Sequence, residues 1–397
     1  ITVDLTGVSY TPNYKAADPA FVKGTLTVNP APGAGGSSGR RDDSSEENRS
    51  TSVKAPKAKI KVTGNNVTAI TTAKAVVDGN GEWVDAFNQA QLMDVIDNAI
   101  KEAEKLGEDA IANVALNVEA PADATAIQAN IPKDAVTHAS KAGVGSFTIS
   151  IPVGYITFDS SALSELSEKA AGDLKIKISR VETSSLSNEA QRMIGDRPVF
   201  DISITGGGNI ISQFGGDVTV SVPYTPKEGE DINAIVIYYI NASGELEIVS
   251  NCIYDPETGM VIFTTKHFSL YGVGYNKITF NDVAESTWYS KVVTFIAARE
   301  ITKGTRGGNF SPEAKLTRGQ FMVMLMKAYG IVPDEDAKDN FEDADSIAPW
   351  ANEAMQHLVE TGIIRGNGDR LNPTGIVTRG EMAQVLYNLL GSLIQKY

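Results

Sequence analysis

Cysteine is almost missing. Cys252 is the single one in 397 residues, so no intramolecular disulfide can form and no Cys-rich zinc site can be built. Histidine is nearly as scarce: His138, His267 and His357 are scattered, which leaves no material for a His-based metal centre. Neither a metal nor another cofactor is expected. Long apolar runs are also missing, since none approaches the roughly 18 residues that a membrane span needs, and membrane insertion is not expected. Positive charge is in deficit, with 35 Lys and Arg against 49 Asp and Glu, a formal net charge of −14. Without a Lys/Arg-rich run this argues against nucleic acid as a partner and suits a crowded, charged extracellular setting. There is no initiator methionine and no signal-peptide pattern, and the chain opens on the strand-like ITVDL. It reads as the C-terminal piece of a longer secreted protein whose targeting segment lies upstream.

What is present has room for two or three domains, at 42% hydrophobic residues. Residues 1–30 are β-rich, with Leu26 and Val28 alternating against polar neighbours. The run N-Y…F-V-K-G-T-L-T-V resembles the closing strands of the bacterial immunoglobulin-like repeats called MBG domains. Residues 31–57 are Gly, Ser, Pro and mixed charge, with Val53 the one large apolar residue. Such a stretch cannot bury enough surface to offset its ordering entropy and reads as a flexible linker.

Residues 58–276 predict a mainly β domain with attached helices. A strand (AKIKVTG) and a turn at Asp78-Gly79-Asn80-Gly81 precede a helix near 88–106. In that helix Leu92, Val95, Ile96, Ala99, Ile100, Ala103 and Leu106 keep helical spacing up to Gly107. Ala112, Val114, Leu116 and Val118 share one face of a following strand, and Ile131–Ala142 reads as a short helix. Phe147, Ile149 and Ile151 alternate again, Asp159 is placed to cap a helix over 160–171, and LKIKISRV returns to a strand. From Val199 onward the segments VFDISI, NIISQF, VTVSVPY, AIVIYYI, LEIVSNCIY, MVIFTT and SLYGVGY predict an antiparallel sandwich. Turn signals at Gly215-Gly216, Ser243-Gly244 and Thr258-Gly259 fall at hairpin spacing.

Catalytic signals are poor in this domain. Gly206-Gly207-Gly208 lacks the following Lys and helix of a phosphate loop and reads as a tight turn. Asp196-Arg197-Pro198 reads as a charged turn with a local ion pair, Glu228 and Glu230 sit in a Pro/Gly-rich loop, and Cys252 reads as a packed thiol. His267-Phe268-Ser269 resembles the H-F-S site of sandwich domains that cut themselves between Phe and Ser by an N→O acyl shift. By that resemblance Ser269 would be the nucleophile and His267 the base. The bland alternative has Phe268 in the core and its neighbours bonded to nearby backbone.

The C-terminal stretch, 277–397, says one thing twice. From Phe280 it reads FNDVAESTWYSKVVTFIAAREITKGTRGGNFSPEAKLTRGQ, and from Phe341 it reads FEDADSIAPWANEAMQHLVETGIIRGNGDRLNPTGIVTRGE. Asp282 and Asp343, Thr317 and Thr378, and Arg318 and Arg379 are each 61 positions apart; Trp288 and Trp350, and Gly304 and Gly366, are 62 apart. Self-similarity at a fixed period marks one structural unit used repeatedly. The copies span 280–330 and 341–393, and each predicts helix, loop, helix. Thr317 with Gln320, and Thr378 with Glu381, are placed as capping boxes for the second helix of each copy.

This order of F-x-D, W, G-I-x-x-G, F/L-x-P and T-R-G-E resembles the S-layer homology motif, with which bacteria hold proteins on the cell wall. Family members usually carry three repeats around a pseudo-threefold axis with ligand grooves between them. Two repeats imply either a second such chain completing the unit or a diverged element of this chain filling the gap. The family's ligand is a secondary cell-wall polysaccharide attached to peptidoglycan, often with an anionic pyruvyl ketal. The resemblance therefore implies that Arg318 and Arg379, at helix N-termini, bind carboxylate. Trp288 and Trp350 either present a face to sugar or pack in the core. Asp282 and Asp343 either bond sugar hydroxyls or cap the first helix, and Gly304 and Gly366 allow close backbone approach at the groove. The expected fold is multidomain: a mainly β (α+β) domain with an antiparallel sandwich, then an all-α helix-loop-helix repeat domain. The expected role is non-enzymatic, extracellular, non-covalent anchoring to the wall. The alternatives are self-processing at Phe268–Ser269 and an adhesin whose β domain binds an external glycan.

Overall fold

A computed structural model describes residues 58–79, 82–121, 123–329, 342–347, 370, 374–380, 382–383 and 386–387. The immunoglobulin-like remnant and linker expected over 1–57 lie outside them, as do Trp350 and Gly366. In chain order the first elements are β1 (Lys59–Thr63), β2 (Asn66–Lys74), β3 (Val76–Val77), β4 (Trp83–Ala86), α1 (Gln89–Leu106) and β5 (Ile111–Glu119). Then come β6 (Ala126–Ile131), α2 (Lys133–Lys141), β7 (Ser146–Ile151), β8 (Gly154–Asp159), α3 (Ser160–Lys169), β9 (Leu174–Val181) and α4 (Asn188–Ile194). They are followed by β10 (Val199–Gly206), β11 (Asn209–Ile210), β12 (Gln213–Pro223), β13 (Ile235–Ile240) and β14 (Leu246–Val249). β15 (Cys252–Asp255), β16 (Met260–His267) and β17 (Leu270–Tyr275) close the sheets, and the repeats contribute α5 (Ser290–Ala298), β18 (Lys315–Thr317), α6 (Arg318–Tyr329) and β19 (Ile376–Thr378).

The strands form two sheets, ordered β1-β2-β5-β7-β8-β12-β16-β15 and β14-β13-β17-β10-β9-β6-β4-β3, with β11 paired to β10. Their apolar faces meet in one core, which takes in Val114, Leu116, Phe147 and Phe158 from the first sheet and Ile127, Ile176, Ile178, Phe200 and Tyr271 from the second. The antiparallel pairing expected from Val199 onward holds for the strand pairs formed within 199–275, and before it parallel pairs are mixed in. β2 and β5, β5 and β7, and β4 and β6 run parallel. The reason is connectivity, because chain returning through a helix can lay the next strand alongside in the same direction.

α1 begins where Asn88 accepts hydrogen bonds from the amides of Ala90 (2.9 Å) and Gln91 (3.3 Å). It buries Leu92, Val95, Ile96, Ala99 and Ala103, while Leu106 in the last turn is exposed. The helix expected to open at Ile131 starts after Pro132, since Ile131 is the last buried residue of β6. Asp159 caps α3 through Ala162 (2.7 Å) and reaches with its other oxygen to the amide of Asp217 in β12 (2.9 Å). Gly215 and Gly216 therefore do not form the expected hairpin turn. They lie inside β12, where its pairing with β16 shifts register, because α3 crosses there. A Cβ on Gly216 would collide with the Ala162 amide nitrogen and the Asp159 carboxylate.

β15 and β16 are walls between two cores. Cys252, Tyr254, Val261 and Phe263 face the sheet core, whereas Ile253, Met260 and Ile262 join a second cluster with Val292, Val293, Phe295 and Ile296 of α5. That cluster continues through Phe310, Leu316, Met324, Leu325 and Met326 into Met382, Ala383 and Leu386 of the second repeat. Arg299, just past α5, is 1% exposed. It donates to the carbonyls of Cys252 (2.6 Å), Asn233 (2.9 Å), Ile235 (3.0 Å) and Phe295 (3.0 Å). Its guanidinium lies 3.5 Å from the Phe295 ring centroid. The repeats are also not all helical. β18 and β19 pair antiparallel, with Leu316 opposite Val377, because the extended backbone leading into each T-R-G continues far enough upstream to form a ribbon.

Candidate functional site between the repeats

The T-R-G segment of the second copy lies against the F-x-P turn of the first. Asp282 organises that turn: its carboxylate accepts from the amides of Phe310 (2.7 Å) and Ser311 (2.7 Å). These bonds go to the turn and not to the N-terminus of the first helix, where a cap was one of the two roles expected. Loss of some water works to raise its pKa, but those two amides, its own amide and the charge of Arg379 together hold the carboxyl below its ordinary value. The Phe280 ring packs 5.5 Å from the buried Phe310 ring. Gly304 makes room for it, with φ at +75° and a would-be Cβ 2.5 Å from Phe280 Cε1.

Arg379 enters from the other repeat and is 8% exposed. Its Nε donates to Phe310 O (2.8 Å), its Nη2 donates to Thr302 Oγ1 (2.9 Å), and the Phe310 ring lies 4.7 Å from its guanidinium carbon. Burial pushes its pKa down, and the Asp282 carboxylate opposes that shift. Arg379 opens its helix as expected, but its side chain is buried against the first repeat. One edge of the guanidinium is bolted to the first repeat, and among the described contacts Nη1 is the nitrogen left over. The Arg379 amide donates to Ala314 O (3.0 Å) and the Gly380 amide to Pro312 O (2.9 Å), which fixes the segment in place.

Trp288 is 63% exposed and precedes α5, so it does not pack in the core, the second of its two expected fates. Its indole lies over Gly380, where a Cβ would be 3.6 Å from Cη2 and Cζ2. An exposed aromatic face, a buried guanidinium and a carboxylate-braced turn therefore meet at one place, from both repeats. Of the expected site residues, Asp282, Gly304, Trp288 and Arg379 come together there. The Arg318 side chain, Trp350 and Gly366 lie outside the described residues. Asp343 accepts from the Ser346 amide through its carbonyl (3.0 Å). Sequence reasoning missed Thr302, Phe310 and Gly380, although F/L-x-P and T-R-G recur in both copies and could have pointed to the last two. The Thr317–Gln320 capping box is formed in both directions: the Gln320 amide donates to Thr317 Oγ1 (3.2 Å) and the Thr317 amide donates to Gln320 Oε1 (2.9 Å).

The sheet domain's candidate residues have other employment. Phe268 is buried against Phe158 and Phe214. His267 packs on Tyr239 (4.7 Å between centroids), and its Nδ1 is 3.2 Å from the Tyr271 hydroxyl. Burial holds its pKa below the usual imidazole value, against an opposing pull from Glu247. The Ser269 carbonyl accepts from the Ile202 amide (3.1 Å). Cys252 is buried, which raises its pKa, and its sulfur accepts from the Ile237 amide (3.3 Å). Arg197 pairs with Glu230, and Lys227 with Asp196, along a shallow cleft of about 460 Å³. The local ion pair expected within Asp196-Arg197 is therefore replaced by two long-range ones, and Glu230 is tied further by the Tyr224 hydroxyl (2.6 Å). No helix among the described residues is long and apolar enough to cross a membrane.

The family model for the S-layer homology domain matches residues 279–322 and 340–383, one match for each copy. The chain carries two S-layer homology repeats. The matched segments contain Asp282, Trp288, Phe310 and Arg379, so the S-layer homology unit is where the composite site lies. Similar proteins include an amylopullulanase of Thermoanaerobacterium thermosulfurigenes, 29% identical over 199 residues, covering 50% of this chain and 10% of that protein. S-layer protein sap of Bacillus anthracis is 31% identical over 108 residues, 27% of this chain and 13% of its own length. The surface-layer 125 kDa protein of Lysinibacillus sphaericus is 30% identical over 112 residues, 27% of this chain and 9% of its own. The chain thus spans about a tenth of the length of these relatives.

Proposed function

We propose that the S-layer homology repeats anchor a surface protein non-covalently to the bacterial cell wall by binding an anionic, pyruvylated secondary wall polysaccharide. The observation that carries this reading is that Arg379 of one repeat is held under the turn of the other, beside an exposed tryptophan. A guanidinium preorganised in this way meets a carboxylate with little further loss of side-chain freedom. The Trp288 face offers an apolar platform for a sugar ring. Arg318 is assigned the same part in a second groove, and two grooves on one chain raise retention on a polymer by avidity. An amylopullulanase and S-layer proteins share similarity with this chain, which favours a part that brings different proteins to one place over a part that does chemistry. On this reading the protein lies outside the cell, at the wall, and its partner is the polysaccharide.

The test is co-sedimentation with purified wall sacculi, with and without their acid-extractable polysaccharide. Wild type is expected to pellet only with unextracted sacculi, and Trp288→Ala is expected to stay in the supernatant with an unchanged thermal midpoint. Equal pelleting of Trp288→Ala, or binding that survives extraction, overturns the proposal.

A further inference from the structure

Two non-glycine residues among those described have a left-handed backbone, Glu300 (φ 53°) and Ser311 (φ 58°). Glu300 is accounted for by helix termination. It follows α5, and the amides of Glu300 and Ile301 close back onto the carbonyls of Ala297 (2.9 Å) and Ile296 (3.1 Å). Ser311 ends no helix. It sits in F-S-P, where glycine would adopt the same backbone without steric penalty. A strained residue that persists where its neighbours over-determine it points to use of its side chain.

Its neighbours do over-determine it. Phe310 O receives Arg379 Nε, Pro312 O receives the Gly380 amide, and the Ser311 amide is held by Asp282. Residue 311 therefore lies where the two repeats cross, with the site's guanidinium on one side and the Trp288–Gly380 contact on the other. The hydroxyl that this backbone presents is 2.8 Å from Thr305 Oγ1. Thr305 gives its own proton to Asn309 O (3.0 Å). Ser311 must then donate to Thr305, which leaves lone pairs on Ser311 Oγ and Thr305 Oγ1 side by side and pointing to no described donor. Thr305 is exposed and Ser311 half-buried.

We propose that Ser311 and Thr305 form a subsite that accepts hydrogen bonds from adjacent hydroxyls of a sugar ring, next to the carboxylate held at Arg379. The inference rests on the wall-polysaccharide reading and adds to it the ligand class read beside the acid: an unsubstituted vicinal diol. The second copy has Asn372 at the corresponding place, 61 positions on, another polar residue that tolerates a left-handed backbone.

The probe is sacculi carrying their polysaccharide, either untreated or oxidised with periodate and then reduced with borohydride, which cleaves vicinal diols and leaves carboxylates. Wild type is expected to bind treated sacculi about tenfold more weakly, the worth of roughly one net hydrogen bond. Ser311→Gly, with its backbone relieved, is expected to keep a thermal midpoint no lower than wild type. It should bind untreated sacculi about tenfold more weakly and lose clearly less than wild type on periodate treatment, because Thr305 keeps one acceptor. Ser311→Asn should retain binding. If Ser311→Gly binds untreated sacculi as wild type does, or loses as much affinity on periodate treatment as wild type, the subsite is wrong. Trp288→Ala separates the two failures: when it abolishes binding and Ser311→Gly does not weaken it, the groove stands and the diol subsite falls.

Discussion

Replacing Arg299 tests whether the sheet domain and the repeats are one cooperative unit. Three of its four acceptors, the carbonyls of Cys252, Asn233 and Ile235, belong to the sheet domain, and the fourth belongs to α5. Hydrogen bonds from a charged donor contribute about 1.5–3 kcal/mol each, and the cost of stripping water from a fully buried cation offsets much of that sum. Truncation does not return the offset, because four buried carbonyls each lose a donor. Arg299→Ala is therefore expected to lower stability by about 3–5 kcal/mol, and Arg299→Met by nearly as much, since methionine refills volume but donates nothing. The exposed Arg306→Ala should stay within about 0.5 kcal/mol. Urea unfolding would be followed by far-UV circular dichroism, dominated by the sheets, and by tryptophan fluorescence in a Trp83→Phe background, which reports Trp288 and Trp350 in the repeats. Wild type should show coincident transitions, whereas both Arg299 variants should lose the repeats at lower urea than the sheets. A methionine variant within about 1 kcal/mol of wild type, with coincident transitions, would refute the reasoning: the apolar contacts alone would then hold the junction.

Two further expectations concern single positions. Gly216→Ala places a methyl group against the Ala162 amide and the Asp159 cap, so α3 must lift from β12; the expected loss is about 1–3 kcal/mol in chemical unfolding, and an unchanged midpoint would contradict the crossing described. For acid, Asp282 and His267 both have folded pKa values below their ordinary ones, so the unfolded chain binds both protons more tightly. Their contributions are in place above about pH 6.5 for His267 and about pH 3.9 for Asp282, and are lost as pH falls through each folded value. Thermal midpoints across that range should fall less steeply for His267→Gln between about pH 7 and 5, and for Asp282→Asn below about pH 4; slopes equal to wild type would count against these placements.

The sequence showed the repeats most clearly, because a period of 61 needs no structure to be seen. Its local signals also carried over where local bonding decides: the Asp159 cap, the Thr317–Gln320 box and the strands after Val199. What it hid was set by distant partners. The acceptors of Arg379 are 69 and 77 residues away, so nothing near T-R-G announces that the arginine is buried. Trp288 fits the helical spacing of Val292 and Ile296, yet it precedes the helix and stays outside. β2 went unnoticed because its inward residues, Val67, Ala69 and Thr71, are small and only weakly apolar, although fully packed. Arg299 looks like any arginine at a helix end, and only the carbonyls beneath it distinguish it.

A strand with a different hydrophobic core on each side has a consequence for anyone who would borrow these repeats. Cutting at residue 277, where the repeat region begins by sequence, strips Ile253, Met260 and Ile262 from the cluster they complete and removes three of the acceptors of Arg299. A transplant made at that seam would carry a raw apolar face and an unmatched buried charge into its new host. The portable module is the larger piece, sheets included.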